Sequence, residues 1–210
     1  MKILTRQQID EIIDKHNKWI NQQPDGQQAD FSDTDLSGTI WENVDLSDVI
    51  IKGAKFNGAK FNFCNFGKVG LSRTIVKEAN FSNSNFNCCN FGSVEFTDCD
   101  FIQSRFYECK FLTATMKDVN LFQCNISQCR FMFCNLTNAN VVESSFIYSN
   151  LASSKLQGID FSKVRSLQGT IGNLQQVKSL QCDRWPITYT ATNMQIGCKL
   201  YPLDKWLGIS

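Results

Sequence analysis

The sequence predicts an all-β solenoid, a rod made by winding the chain round an axis, with a short non-repeating segment at each end. Three observations predict it. A large apolar residue stands at every fifth position from Phe31 to Phe161, twenty-seven times without a slip of phase. Two residues before each of these, from Ala29 to Ile159, the side chain is small or β-branched throughout. Proline is absent from residues 25 to 185, as expected where backbone N–H groups must bond to neighbouring coils.

A period of five fits neither the 3.6 of a helix nor the 2 of a long flat strand. It fits a short extended segment plus a corner, repeated so that two positions of each unit point to the axis, one small and one large. If the large residue is i, the small one is i−2. Position i−1 is often Asn or Asp, as at Asn80, Asn90, Asp100, Asn120 and Asn140, residues that hydrogen-bond locally and tolerate tight turns. The phenylalanines at 81, 86, 91, 96, 101, 106 and 111 are then rungs of an internal ladder.

Units such as ANFSN, CNFGS, CNLTN and SNLAS, centred on Phe81, Phe91, Leu136 and Leu151, resemble the A(D/N)LXX signature of the pentapeptide-repeat family. The resemblance implies a right-handed quadrilateral β-helix with four units per coil. Twenty-seven units make about seven coils, a rod on the order of 32 Å long at about 4.8 Å per stacked strand.

The chain divides into an N-terminal helical cap (1–27), the repeat (28–166) and a C-terminal cap or tail (167–210). In the first, Thr5 and Gln8 form a capping box, and Ile9, Ile12, Ile13, His16, Trp19 and Ile20 share one helix face. Pro24 and Gly26 stop that helix before the repeat. In the last, the five-residue period is lost and ITYTATNMQIG has β-type composition. Both flanks resemble segments beside the repeats of uncharacterised bacterial and phage pentapeptide proteins, a likeness that brings no activity. Open solenoid ends aggregate unless covered, which is the role expected of both segments.

Chemistry has little to attach to. Cysteines 64, 89, 99, 109, 124, 129 and 134 all fall in the small inward slot, so their spacing is that of the slot, whereas zinc ligands come in pairs two to four residues apart. They read as core, as does His16, the single histidine, on its apolar helix face. Cys182 and Cys198 lie outside the repeat and read as structural. No pair of carboxylates is marked as acid and base, and no glycine-rich phosphate loop or metal-binding helix motif is present. The expectation is a protein that is not an enzyme and carries no cofactor and no metal.

The formal net charge is +1, which supplies no bulk attraction for nucleic acid or an anionic membrane. Its distribution is uneven. Residues 30 to 48 hold six carboxylates and no base, residues 49 to 77 six bases and no carboxylate; mutual solvation of neighbouring coils or an oriented docking surface would each explain this. With no signal-peptide pattern and no apolar stretch of membrane-spanning length, the expected location is cytoplasmic.

The function expected is a protein-interaction or scaffold module whose partner is a protein; neither nucleic acid nor membrane is expected, and a homodimer is compatible. The resemblance implies an alternative, since some pentapeptide-repeat proteins imitate duplex DNA and protect DNA gyrase or other type II topoisomerases from quinolones or peptide toxins. The balanced charge, the basic band, the unbroken phase and the lack of a C-terminal dimerisation helix argue against it. A structural component of a larger assembly is a further alternative. The candidate interaction surface is the set of apolar outward residues: Ile102, Phe122 and Val142, twenty apart, with Leu112, Met132 and Phe133 on the opposite face.

Overall fold

The computed structural model describes residues 1–71, 74–173, 176–181, 186–196 and 199–208. Residue pairing repeats every twenty positions, with Asp30, Ile50, Gly70, Asn90, Lys110, Arg130 and Asn150 forming one continuous parallel ladder. Four five-residue units therefore complete each coil, giving a four-sided parallel β-solenoid. We number its faces in chain order by their inward residues in the first coil: Phe31, Leu36, Trp41 and Leu46. Face 4 carries the longest regular sheet, five parallel strands from Asn65–Gly67 to Ser145–Ile147.

The interior is filled by two residues per unit, as the period requires. Phe61, Phe81 and Phe101 stack in parallel with centroids 4.9 and 5.0 Å apart, and Phe91, Phe111 and Phe131 do so at 4.7 and 4.4 Å. Rings on adjacent faces meet edge to face, the offset geometry that aromatic quadrupoles favour; Phe81 and Phe86 are 5.8 Å apart at 66°. Stacking does not extend to every column. Phe96 lies between Val76 and Met116 on face 2 and has only edge contacts, to Phe81, Phe91 and Phe101.

The small slot is small because of what it must reach. Ser104 Oγ donates to the Phe81 carbonyl at 2.7 Å, and Cys124 Sγ to that of Phe101 at 2.8 Å, each twenty-three residues back. A buried hydroxyl or thiol thus uses the free lone pair of a core carbonyl. All seven cysteines of the slot are buried. Burial pushes Cys99, Cys124 and Cys134 up to about 12, so these thiols stay protonated and unreactive.

Corners explain the Asn and Asp. The side-chain oxygen of residue i−1 accepts the amide of residue i+1, as from Asp30 to Ser32 at 2.8 Å, Asn80 to Ser82 at 2.8 Å and Asn150 to Ala152 at 2.8 Å. Residue i+2 then takes positive φ, including Asp33, Phe63, Thr113, Gln123 and Phe133 at 53–58°. Carboxylates of the acidic first coil serve these turns. No ion pair among the described residues joins them to the basic band that follows, although Asp35 and Lys55 are direct partners in the ladder.

At the N-terminus, Lys2–Ile3 pairs in parallel with Thr34–Asp35 and extends face 2 by one strand. Helix Arg6–Ile20 follows, with Thr5 and Gln8 closing a reciprocal capping box. His16 joins this helix to the first coil: its Nδ1 accepts the buried Ala29 amide at 3.1 Å and its Nε2 donates to the Ser47 carbonyl at 3.0 Å. Only neutral imidazole can make both bonds. Burial holds its pKa below the ordinary 6.5, so its contribution is complete above about pH 6.5 and is lost as pH falls through the lower folded value. Between pH 8 and 5 the urea midpoint should fall in the native protein. In His16→Ala it should start lower, by about 1–3 kcal/mol for the orphaned groups, and lack that component of the fall. An identical pH profile in both would contradict this role.

At the other end the ladder absorbs one extra residue. A 3-10 turn, Phe161–Lys163, follows the last in-phase unit, after which Ser145 pairs with Ser166 and Asn150 with Ile171. Leu167 then fills the inward position of face 4. An antiparallel sheet covers this coil, its strands Lys178–Gln181, Pro186–Tyr189, Asn193–Ile196 and Lys199–Pro202 lying in chain order. Asn193 Nδ2 donates to the Ser162 carbonyl at 2.8 Å, and Thr188 Oγ1 to that of Thr170 at 3.2 Å. Cys182 and Cys198 lie outside the described residues. Among the described residues no helix is long and apolar enough to cross a membrane.

Candidate interaction surface

With the axis filled, chemistry toward other molecules rests on positions i−1, i+1 and i+2, which face outward. Their side chains form rows because each recurs twenty residues later, about 4.8 Å along the rod. The six apolar residues expected on the outside divide unequally. Leu112 and Phe133 are 51% and 56% exposed, whereas Ile102, Phe122, Val142 and Met132 are only partly so.

On face 3 the reason is visible. Asn120 Nδ2 donates to Asp100 Oδ1 at 3.1 Å and Asn140 Nδ2 to Asn120 Oδ1 at 3.0 Å. At the corner beyond, Gln103 donates to Gln123 at 2.7 Å and Gln123 to Glu143 at 2.8 Å. Ile102, Phe122 and Val142 lie between these two amide ladders and are partly exposed, as Met132 is on face 1. Among the described residues, the hydrogen bonds from the C-terminal sheet to the rod go to Phe161, Ser162, Ser166, Leu167 and Thr170 at the rod's end.

Face 1 differs. Leu112 and Met132 sit at i+1 on consecutive coils, joined by the bond from Thr113 N to the Met132 carbonyl at 3.1 Å. Phe133 holds the adjoining corner, at φ 58°. Flanking them at i−1 are Lys110 and Arg130, paired directly in the ladder. Two exposed tyrosines complete the neighbourhood, Tyr107 on face 4 and Tyr148 at the corner between faces 4 and 1. Sequence reasoning missed both tyrosines and the cation pair; reading the other outward columns at twenty-residue spacing would have found them.

A groove of about 460 Å³ on faces 3 and 4 is lined by Gln103, Arg105, Gln123, Asn125, Glu143 and Arg165. Arg165 Nε donates to the Glu143 carbonyl, so the groove mixes both charge signs with amides already engaged in ladders. Among the described residues no cluster of three or more His, Cys, Asp or Glu is arranged to hold a metal ion.

These features define a class: four-sided β-solenoids whose five-residue units bury a small and a large side chain in alternation. The chain matches the family described as pentapeptide repeats, in eight copies over residues 29–67, 64–101, 74–111, 114–147 and 124–162, and it belongs to that family. The fold is accordingly the right-handed β-helix of these proteins. No curated protein matches the chain. Similar solved structures include a trypsin-treated form of QnrB1, a plasmid-mediated fluoroquinolone resistance protein, at 18% identity and TM-score 0.41 over 71% of this chain and 82% of that one. Rfr23 from the cyanobacterium Cyanothece 51142 matches at 19% identity and TM-score 0.46 over 66% and 90%. HetL from Nostoc sp. strain PCC 7120, involved in heterocyst differentiation regulation, matches at 13% identity and TM-score 0.38 over 81% and 98%.

Proposed function

We propose that this protein is a non-enzymatic interaction or scaffold module, a stiff rod whose outer faces dock a protein partner in the cytoplasm. The observation that supports this reading best is the group Leu112, Met132 and Phe133, the first and last exposed and Met132 partly so, held in register on adjacent coils. Stacked apolar side chains of this size on an otherwise polar wall mark contact surfaces more often than accidents. A wall fixed by backbone ladders also loses little conformational freedom on binding, so the contacts it makes translate more fully into affinity.

Affinity capture from the native host tests it, with the native protein, the Leu112→Ser/Phe133→Ser double variant and Phe122→Ser as baits. All three should keep the native urea midpoint. A saturable partner should be held by the native rod and by Phe122→Ser, and at least about tenfold more weakly by the double variant, a loss of about 1.4 kcal/mol. Equal recovery by all three would refute face 1 as the docking site. A supercoiling assay with purified gyrase runs in parallel, and inhibition there would assign the partner to the topoisomerases.

A further inference from the structure

We infer that face 1 binds an acidic polypeptide segment carrying large apolar side chains, with Lys110 and Arg130 receiving its carboxylates and Leu112, Met132 and Phe133 its apolar groups. The inference rests on the interaction-module reading and names the chemistry of the partner.

The argument begins with the cation pair. Lys110 and Arg130 are exposed and directly paired in a parallel ladder, which roots two side chains of like charge on backbones about 4.8 Å apart along the rod. Like charges directly opposite in a sheet oppose each other. Neither belongs to an ion pair: those among the described residues are Arg6 with Asp10, Lys77 with Glu95, and Lys117 with Asp118. Beyond the first coil, the outward positions of face 1 from Ile50 to Ser153 hold no carboxylate at all. The nearest along the chain, Glu108, lies at the corner with face 4 and accepts from Cys88 Sγ at 3.6 Å.

The second step is the match of rows. Positions i−1 and i+1 flank the same inward phenylalanine, Phe111 in one coil and Phe131 in the next, so cations and apolar side chains run as parallel rows about 6.6 Å apart. A ligand must therefore offer acidic and apolar groups side by side, as a polypeptide with alternating acidic and apolar side chains does. The balanced net charge of +1 also lacks the excess that counterion release from nucleic acid rewards. A second copy is disfavoured on the same face, because that face carries Lys52, Lys110 and Arg130 and, from Ile50 to Ser153, no carboxylate to meet them.

The experiment is a selection from a random twelve-residue peptide library displayed on phage, against the immobilised full-length protein. Recovered peptides, resynthesised with a fluorophore, are titrated by anisotropy against the native protein, K110E/R130E and L112S/F133S. Peptides enriched in both Asp or Glu and large apolar residues are expected, with affinity weakened at least about tenfold in each double variant and falling with added salt. Should one double variant misfold, the other still decides. Peptides that bind the native protein and both variants alike would overturn this surface while leaving the interaction-module reading standing; recovery of no peptide would count against both. Enrichment without acidic residues would overturn the partner chemistry. Tighter binding of a twenty-residue oligothymidylate or a duplex through Lys110 and Arg130 would assign the face to nucleic acid, and a dimer that dissociates in K110E/R130E would assign it to a second copy; either overturns the inference.

Discussion

Phe96→Ala is expected to lower stability by about 3–5 kcal/mol, whereas Phe63→Ala should shift it by no more than about 0.5 kcal/mol. The two residues are the same in chemistry and opposite in direction. Phe96 is fully buried on face 2 and meets Phe91 edge to face at 5.5 Å and Phe101 at 5.3 Å. Truncation leaves a void whose walls are held by backbone ladders on four sides, so the coil cannot close over it, and the cost should fall at the upper end of the range. Phe63 stands at the i+2 corner, 58% exposed with φ 54°. Alanine there gives up little contact and keeps the same backbone strain. Urea midpoints of the two variants decide the matter, and equal losses would contradict the assignment of inward and outward positions.

Asn120→Pro should cost about 3 kcal/mol or more, while Ile102→Pro, on the same face one coil earlier, should be tolerated. The Asn120 amide donates to the Cys99 carbonyl at 2.9 Å, its carbonyl accepts from Phe101 N at 2.8 Å, and its side chain bridges to Asp100 and Asn140. Proline removes the first of these bonds, strands a carbonyl in the wall and breaks the amide ladder. Ile102 instead occupies the second position of a turn closed by Ser104 N to the Phe101 carbonyl at 3.0 Å, with Gln103 at φ 59°. Positive φ at the third position is the type II pattern, in which proline at the second position is favoured. Thermal or urea unfolding of both variants is the measurement. A large loss for Ile102→Pro would mean that the corner geometry is misassigned.

Much of this was legible in the residues before any coordinates. A two-position hydrophobic code repeated every five residues has one geometric solution in which the same positions always face the axis, and Asn or Asp at i−1 already marks the turn. The capping box at Thr5, the buried cysteines and the packed His16 were readable for the same reason: each depends on local spacing or on the direction a side chain faces. What His16 bonds to was not readable, because Ala29 and Ser47 approach it only after the helix has folded back over the first coil. The extra residue in the last coil was also hidden, since Leu167 resumes the inward role one position late and a period search simply ends there.

The outer surface shows the same division most sharply. Sequence alone determined that Ile102, Phe122, Val142, Leu112 and Met132 leave the axis, because parity within a five-residue unit decides inward from outward. Only the tertiary structure decided which of them solvent reaches. Exposure depends on neighbours twenty residues away in the adjoining coils: on face 3 the row stands between amide side chains bonded along the wall and is partly exposed, while on face 1 Leu112 and Phe133 are open beside Lys110 and Arg130. A hydrogen bond between coils is a property of the stacked wall, and no reading along a single unit contains it.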